Sequence, residues 1–314
     1  MSSLAETGVG RLALRGACAG LRMMFHRARF PRLQLWMWDR VVRPHILWRS
    51  FPIEARTRFG ARFEGGFPDA VHSAVYFFGV WEPAVTRLYH DALRPGDIVI
   101  DVGANVGLHT LLAARLVGAT GRVHAIEASP WIFARLLRNL AANRAANVRA
   151  YNMAATAVAG PVSVYLHDET NLGGTTIIAA EAGRSGAALE GTVEGRPLHH
   201  IIPLEDLLAA RLIKIDVEGA EWLVIQGIAE LLPELRADVE ILMEVKRDAL
   251  IEMGGSVPTL LALFAAAGFR AFEVENGYGP TSYVAATPGR PAPLGRQDFS
   301  MADLVFRREA VGAA

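Results

Sequence analysis

The sequence lacks the features that would place it among disordered or membrane-spanning chains. Charged residues make up only 20% of its 314 residues and hydrophobic residues make up 52%, so the composition excludes a disordered chain. No apolar run approaches the roughly 18 residues that a membrane-spanning helix needs. We therefore expect a globular chain that is long enough to bury a substantial core.

Cysteine is almost absent, because Cys18 is the single one. One thiol cannot form a disulfide framework within the chain, and it cannot build a cysteine-based zinc site. Residues 1–29 alternate small residues with arginine and lack the apolar stretch of a secretory signal. Together these absences predict a reducing, cytoplasmic setting.

The net charge of zero conceals a basic beginning. Residues 1–62 hold 12 arginines and three acids, and aromatic residues are interspersed with the arginines over 22–58. One interpretation is a helical extension that packs on the main domain or on a second subunit. The other is peripheral contact with an anionic membrane at its inner face, where arginine pairs with lipid phosphate and tryptophan prefers the interface. No recognised nucleic-acid-binding module is present, so no nucleic acid partner is expected.

Beyond residue 96 the pattern alternates between apolar strands and helices. This alternation predicts a mostly parallel sheet that helices cover on both faces. The middle part, 159–203, is rich in glycine and indicates a hairpin or mobile loops. We expect a basic, aromatic extension at 1–62 and one α/β domain at 63–314. The expected strands are 97–102, 123–127, 148–152, 212–216, 239–244, 269–274 and 303–306. The expected helices are 108–117, 130–143, 220–232 and 257–267.

The strongest local signal is the run 97–107, DIVIDVGANVG, which places a strand, a glycine turn and a helix in succession. Gly103 permits a tight turn and Gly107 lets the helix begin close to a ligand. A dinucleotide fingerprint would have a middle glycine where the run has Asn105. The carboxylate of Asp101 would repel a pyrophosphate but suits a cationic ligand. S-adenosylmethionine carries an ammonium and a sulfonium and no phosphate, so the run favours a methyl donor.

At the ends of the next two strands, three residues fit the nucleoside part of such a cofactor. Glu127 ends the second strand, where an acid can accept hydrogen bonds from both ribose hydroxyls. Asn152 and Ala154 follow the third strand and are placed to line the adenine. Asn152 could equally cap a turn, and the sequence leaves that choice open.

Six runs together resemble the FkbM family of S-adenosylmethionine-dependent methyltransferases, over about residues 75–275. Among them, KIDVEGAE is the most specific to the family. The runs are FGVWEP (78–83), PGDIVIDVGANVG (95–107), EASP (127–130), NLGGT (171–175), PLEDL (203–207) and KIDVEGAE (214–221).

The resemblance implies a class I methyltransferase fold, which is Rossmann-like and doubly wound, with a seven-stranded sheet whose last strand is antiparallel. It also implies O-methylation of a hydroxyl on a sugar, a glycolipid or a polyketide-type natural product. Carried over to this chain, the loop at the methionine end consists of Asp101, Gly103, Asn105 and Gly107, and the ribose acid is Glu127. Glu82 matches an acid that precedes the glycine loop and is placed at the methionine ammonium.

The acceptor is expected over the carboxyl ends of the fourth and fifth strands. A hydroxyl is a poor nucleophile near neutral pH, so a base or a metal usually assists. Lys214 and Asp216 face the same side of a strand; either they form a buried salt bridge, or Asp216 acts on the acceptor while Lys214 tunes it. Glu244 on the next strand completes the expected catalytic set.

Two alternatives concern the metal and the reaction. Asp216, Glu218 and Glu244 together could hold a divalent cation, but no histidine or known ligand spacing accompanies them, so no metal is expected. A methyltransferase-like module without catalysis and a dinucleotide-dependent oxidoreductase are the alternatives to methyl transfer. The identity of the acceptor and the oligomeric state are left open by the sequence.

Overall fold

The computed structural model describes residues 8–27, 30–49, 51–67, 69–167, 174–284 and 288–308. The chain divides into two compact units. The first contains Met1–Pro83 and Gly277–Thr287, and the second contains Ala84–Asn276 and Pro288–Ala314. Residue 62, where the sequence analysis divides the chain, lies inside the first unit.

The described part of the chain contains helices and strands that alternate through most of its length. The helices are α1 (Gly8–Arg27), α2 (Pro31–Met37), α3 (Arg43–His45), α4 (Ala70–Phe78), α5 (Pro83–Ala92), α6 (Leu108–Val117), α7 (Pro130–Ala142), α8 (Ala179–Ser185), α9 (Leu198–Ile201), α10 (Leu204–Leu208), α11 (Glu221–Ile228), α12 (Arg247–Glu252), α13 (Val257–Ala266) and α14 (Pro280–Val284). The strands are β1 (Phe51–Arg56), β2 (Arg62–Phe67), β3 (Ile98–Val102), β4 (Arg122–Ile126), β5 (Val148–Tyr151), β6 (Ala154–Ala155), β7 (Gly160–Leu166), β8 (Ala188–Arg196), β9 (Leu212–Ile215), β10 (Glu240–Lys246), β11 (Phe269–Val274), β12 (Ala292–Pro293) and β13 (Met301–Arg308).

Aromatic packing holds the first unit together. Phe25 on α1 lies 5.3 Å from Phe77 and 5.4 Å from Phe78 on α4, between ring centroids. The antiparallel pair β1 and β2 packs against α4. Asp69 caps α4 by accepting a 2.8 Å hydrogen bond from the backbone N–H of His72. None of the helices in the described residues combines the length and apolar character that crossing a membrane requires.

An eight-stranded sheet forms the centre of the second unit, in the order β12-β11-β13-β10-β9-β3-β4-β5. Strands β10, β9, β3, β4 and β5 pair in parallel, and β13 is antiparallel to both β10 and β11. The central strands β3 and β9 are mostly apolar, as expected of strands that are buried on both faces, and each contains one charged residue, Asp101 or Lys214. The predicted doubly wound fold with an antiparallel last strand is confirmed, and β12 adds a two-residue eighth strand at the edge.

The middle part of the chain is more ordered than its glycine content indicates. Strands β7 and β8 pair antiparallel, and β6 pairs with β8 to complete a separate three-stranded sheet. The helix predicted over 220–232 is shorter, because α11 ends at Ile228 and a 3-10 turn, Ala229–Glu234, follows. This turn contains Pro233, which has no backbone N–H to donate. Of the NLGGT run, residues 171–173 lie outside the described residues.

Candidate active site

The glycine loop between β3 and α6 lies against the end of β9. Gly103 has φ +78°, and a Cβ atom at this position would lie 1.8 Å from the backbone carbonyl oxygen of Asp216. Gly107 has φ +92° immediately before α6, and Asn105 has φ +50°. Only a glycine at 103 therefore permits the close approach of the loop to Asp216.

Glu127 connects this loop to the next helix. Its Oε2 accepts a hydrogen bond from the N–H of Asn105 (2.8 Å), and its Oε1 accepts one from the N–H of Ser129 (2.9 Å). The side chain is buried, and burial raises its pKa to about 7 although the two backbone N–H donors oppose this effect. Each carboxylate oxygen retains a second lone pair. Glu127 therefore holds the loop in place and is still able to accept hydrogen bonds from a ligand.

Asp101, near the end of β3, is almost completely buried, with 1% of its surface exposed. Its Oδ2 accepts a 2.6 Å hydrogen bond from the hydroxyl of Thr110. Its Oδ1 has no hydrogen-bond partner among the described residues, and the ammonium of Lys214 lies 3.9 Å away. Burial raises the pKa of Asp101, and the nearby Lys214 lowers it. A buried acceptor without a donor fits the ammonium of an amino acid, and this is the chemistry that the methionine end of the cofactor offers.

The three other residues expected at the cofactor have defined surroundings. Asn152 donates 2.9 Å hydrogen bonds to the carbonyl oxygens of Glu127 and Ala128, so its amide joins the ends of two strands. Ala154 is buried and pairs with Gly195 in the three-stranded sheet. Glu82 belongs to the first unit, is buried and has φ +45°. Their contact with a cofactor stays a prediction.

Two lysine–carboxylate groups lie at the ends of β9 and β10. The buried Lys214 ammonium lies 2.8 Å from Oδ2 of Asp216, whose side chain is 32% exposed. The two residues form an ion pair that is partly open to solvent at Asp216. The Lys246 ammonium contacts Oε2 of Glu218 and lies 3.0 Å from Oε2 of Glu244.

Asp216 and Glu218 have pKa values that are shifted in opposite directions. Burial alone would raise the pKa of Asp216, but the ammonium groups of Lys214 and Lys246 together hold that pKa below its usual range. Burial and the neighbouring Asp216 raise the pKa of Glu218 to about 8. Asp216 is therefore the acid of this cluster that is ionised at neutral pH.

Lys246 is a residue of this cluster that no sequence motif predicted. A compositional signal was available, since the chain contains two lysines beside 30 arginines, and both lysines lie in this cluster. The ammonium of lysine is a compact point charge on a flexible stem, whereas the guanidinium of arginine is planar, so the two side chains pair differently with carboxylates.

Asp303 is a second residue that the sequence analysis did not identify. It is the register partner of Glu244 across the antiparallel pair β10 and β13. Burial and the charge of Glu244 raise the pKa of Asp303 to about 7. His109 on α6 is also buried here, and burial together with Lys214 lowers its pKa to about 3, so its imidazole is neutral.

The three acids named as a potential cation site do come together. Asp216, Glu218 and Glu244 each offer an oxygen, and these oxygens lie within 4.8 Å of one another. Each of the three already lies beside a lysine ammonium. These ammonium groups supply the positive charge that a divalent cation would bring, and we propose no metal site here.

Comparison with known proteins identifies the family. The model of the methyltransferase FkbM domain matches residues 101–271, which include the glycine loop, Glu127 and both lysines. The 31-O-demethyl-FK506 methyltransferase FkbM of Streptomyces tacrolimicus is 29% identical over 204 residues, which are 56% of this chain and 74% of the relative.

Solved structures with a related arrangement are more distant. A precorrin-6y C5,15-methyltransferase from Geobacter metallireducens has a TM-score of 0.39 at 14% identity, covering 72% of this chain and 87% of that chain. TYW2 from M. jannaschii in complex with AdoMet has a TM-score of 0.40 at 11% identity, covering 83% of this chain and 88% of that chain. The assignment rests on the family match: the chain belongs to the FkbM methyltransferase domain family and is an S-adenosylmethionine-dependent methyltransferase.

Proposed function

We propose that the chain methylates a hydroxyl oxygen of a sugar, a glycolipid or a polyketide-type natural product. The observation that carries this proposal is the position of Asp216. Its carboxylate pairs with Lys214 at 2.8 Å, and its backbone carbonyl oxygen lies against the glycine loop at Gly103. A carboxylate at that position supports base-assisted methylation of an oxygen. The name of the FkbM relative, which describes an oxygen of FK506, supports the same kind of acceptor.

The residues have separate roles in this proposal. The cofactor supplies an electrophilic methyl group on a sulfonium. Asp101, Gly103, Asn105 and Gly107 hold its methionine end. Glu127 accepts from the ribose, and Asn152 and Ala154 lie at the adenine.

The acceptor hydroxyl needs a group that takes its proton, because it is a weak nucleophile at neutral pH. Asp216 takes this proton, and Lys214 keeps Asp216 ionised before the reaction. Glu244, which Lys246 holds at 3.0 Å, orients the acceptor. Much of the acceleration comes from holding the acceptor in line within a site that excludes water.

Titration calorimetry of the purified chain tests the cofactor part of this proposal. We expect S-adenosylmethionine and S-adenosylhomocysteine to bind and NAD(H) to give no heat. Hydroxylated sugars, glycolipids and polyketide-type compounds are then screened for transfer of a labelled methyl group. With an acceptor identified, Asp216→Asn is expected to lower turnover more than it lowers cofactor affinity. Unchanged turnover in that variant would remove Asp216 from the proposed role.

A peripheral membrane contact through residues 22–58 is the second part of the proposal. Phe30, Trp36 and Trp48 expose 71%, 58% and 79% of their surfaces. Exposed arginines, among them Arg32 and Arg40, lie between them in the chain. Exposed aromatic side chains beside arginines suit an anionic lipid surface.

Sedimentation with vesicles tests this contact. We expect the chain to sediment with vesicles that contain phosphatidylserine and to stay in solution with phosphatidylcholine alone. The double variant Trp36→Ala, Trp48→Ala should lose the binding. Leu189→Ala removes a side chain that is equally exposed (62%) in the second unit and should bind like the wild type.

A further inference from the structure

The three-stranded sheet presents one acidic side chain in an unusual way. Along the antiparallel pair β7 and β8, Val164 pairs with Gly191 and Tyr165 pairs with Leu189. Glu190 lies between these two pairs and has no register partner of its own. It is therefore the extra residue of a β-bulge, a feature that re-aims a side chain and is over-represented beside active sites.

The bulge directs Glu190 to the beginning of α7. Its Oε1 accepts a 2.8 Å hydrogen bond from the backbone N–H of Trp131, the second residue of that helix. Glu127 lies just before the same helix, and the charge of Glu190 contributes, after burial, to the raised pKa of Glu127. Two carboxylates from separate sheets thus lie close together at one helix N-terminus.

The second oxygen of Glu190 is the informative atom. Its Oε2 is buried and has no hydrogen-bond partner among the described residues. Capping of α7 accounts for Oε1 only. Oε1 accepts from the N–H of Trp131, and the hydroxyl of Ser129 caps the helix by accepting from the N–H of Ile132. A buried carboxylate oxygen without a donor, beside another carboxylate, costs free energy until a donor arrives.

We propose that Glu190 is a second carboxylate of the cofactor's nucleoside site and accepts a hydrogen bond there through Oε2. The nucleoside offers suitable donors, namely the ribose hydroxyls and the adenine amino group. This inference rests on the proposed placement of the ribose at Glu127. It gives the three-stranded sheet, which lies outside the parallel strands, a direct part in cofactor binding.

Calorimetry with Glu190→Gln tests the inference, since this variant keeps one carbonyl oxygen for the N–H of Trp131 and replaces the other oxygen by an N–H donor. The ligands are S-adenosylhomocysteine and 5′-methylthioadenosine, which shares the nucleoside but lacks the amino acid. We expect both dissociation constants to rise about tenfold, in equal measure. Glu194→Gln, an exposed change on the same strand, should bind both ligands like the wild type.

The outcomes separate the inference from the proposed function. If the wild type binds neither ligand, the proposed cofactor site itself is wrong. If the wild type binds both and Glu190→Gln binds 5′-methylthioadenosine equally well, Glu190 does not contact the nucleoside. Thermal unfolding without ligand serves as the folding control, and an unchanged midpoint in Glu190→Gln assigns the loss of affinity to the contact.

Discussion

Asp101 and Lys214 are register partners on the neighbouring parallel strands β3 and β9, and Oδ1 of Asp101 lies 3.9 Å from Nζ of Lys214. Lys214 also holds Asp216 at 2.8 Å. One ammonium therefore lies between the acid that we place at the cofactor and the acid that we place at the acceptor. Lys214 is shared by both halves of the site.

Asp101→Asn is expected to weaken binding of S-adenosylhomocysteine about tenfold, because the ligand ammonium loses an anionic acceptor. The amide oxygen of asparagine can still accept from the hydroxyl of Thr110, and Lys214 keeps its pair with Asp216, so the fold should persist. Calorimetry measures the affinity, and 5′-methylthioadenosine, which has no ammonium, provides the control and should bind unchanged. Equal loss for both ligands would place Asp101 away from the methionine end.

Gly103→Ala is expected to destabilise the chain severely. The new methyl group would lie 1.8 Å from the carbonyl oxygen of Asp216, and φ at this position is +78°. Gly186→Ala is the matched control, because Gly186 has φ +75° but nothing within 4 Å of an added Cβ. The control should cost about 1 kcal/mol from backbone strain alone, whereas Gly103→Ala should cost several times more. Urea unfolding compares the two, and equal costs would mean that the close approach to Asp216 is not maintained.

The sequence predicts those parts of the molecule that depend on neighbouring residues in the chain. The structure has α6 and β11 at the expected residues, because glycines and apolar runs mark their limits locally. The turn from Asp101 to Gly107 is also local, since the acid, the glycines and the helix start follow one another within seven residues.

Contacts that depend on strand register were beyond the sequence analysis. Asp303 lies opposite Glu244 only because β13 pairs antiparallel with β10 in one register. Glu190 lies beside α7 only because a bulge interrupts the pairing of β7 and β8. A shift of one residue would turn each side chain to the other face of its sheet, and no local pattern fixes that choice.

Lys246→Met is expected to make stability depend more steeply on pH. Lys246 lowers the pKa values of Glu218 and Glu244, both of which burial raises. Without it, burial raises both pKa values further, so the two acids are harder to ionise at pH 8 in the folded chain than in the unfolded chain. An acid with a raised pKa in the folded state loses stability as the pH rises. We expect a loss of about 3 kcal/mol at pH 8 and a smaller loss at pH 5.

Arg184 provides the matched control for that variant. Its guanidinium also bridges two carboxylates, those of Glu181 and Glu252, but on the surface. Because exposed ion pairs contribute little, Arg184→Met should change the free energy of unfolding by less than about 1 kcal/mol at either pH. Urea titrations at pH 5 and pH 8 measure both variants. A loss in Lys246→Met that is the same at the two pH values would show that the lysine acts through packing alone.

Glu221→Gln is expected to be more stable than the wild type at pH 8. Oε1 of Glu221 accepts from the N–H groups of Val217 and Gly219, and glutamine retains such an oxygen. Burial raises the pKa of Glu221 from 4.5 to about 7, so the folded wild type loses stability as the pH rises from about 4.5 to about 7. The full shift corresponds to about 3 kcal/mol, which the variant should regain at pH 8 but not at pH 4. Urea titrations measure this difference beside Glu205→Gln, an exposed control, and a gain independent of pH would contradict the assignment of a raised pKa to Glu221.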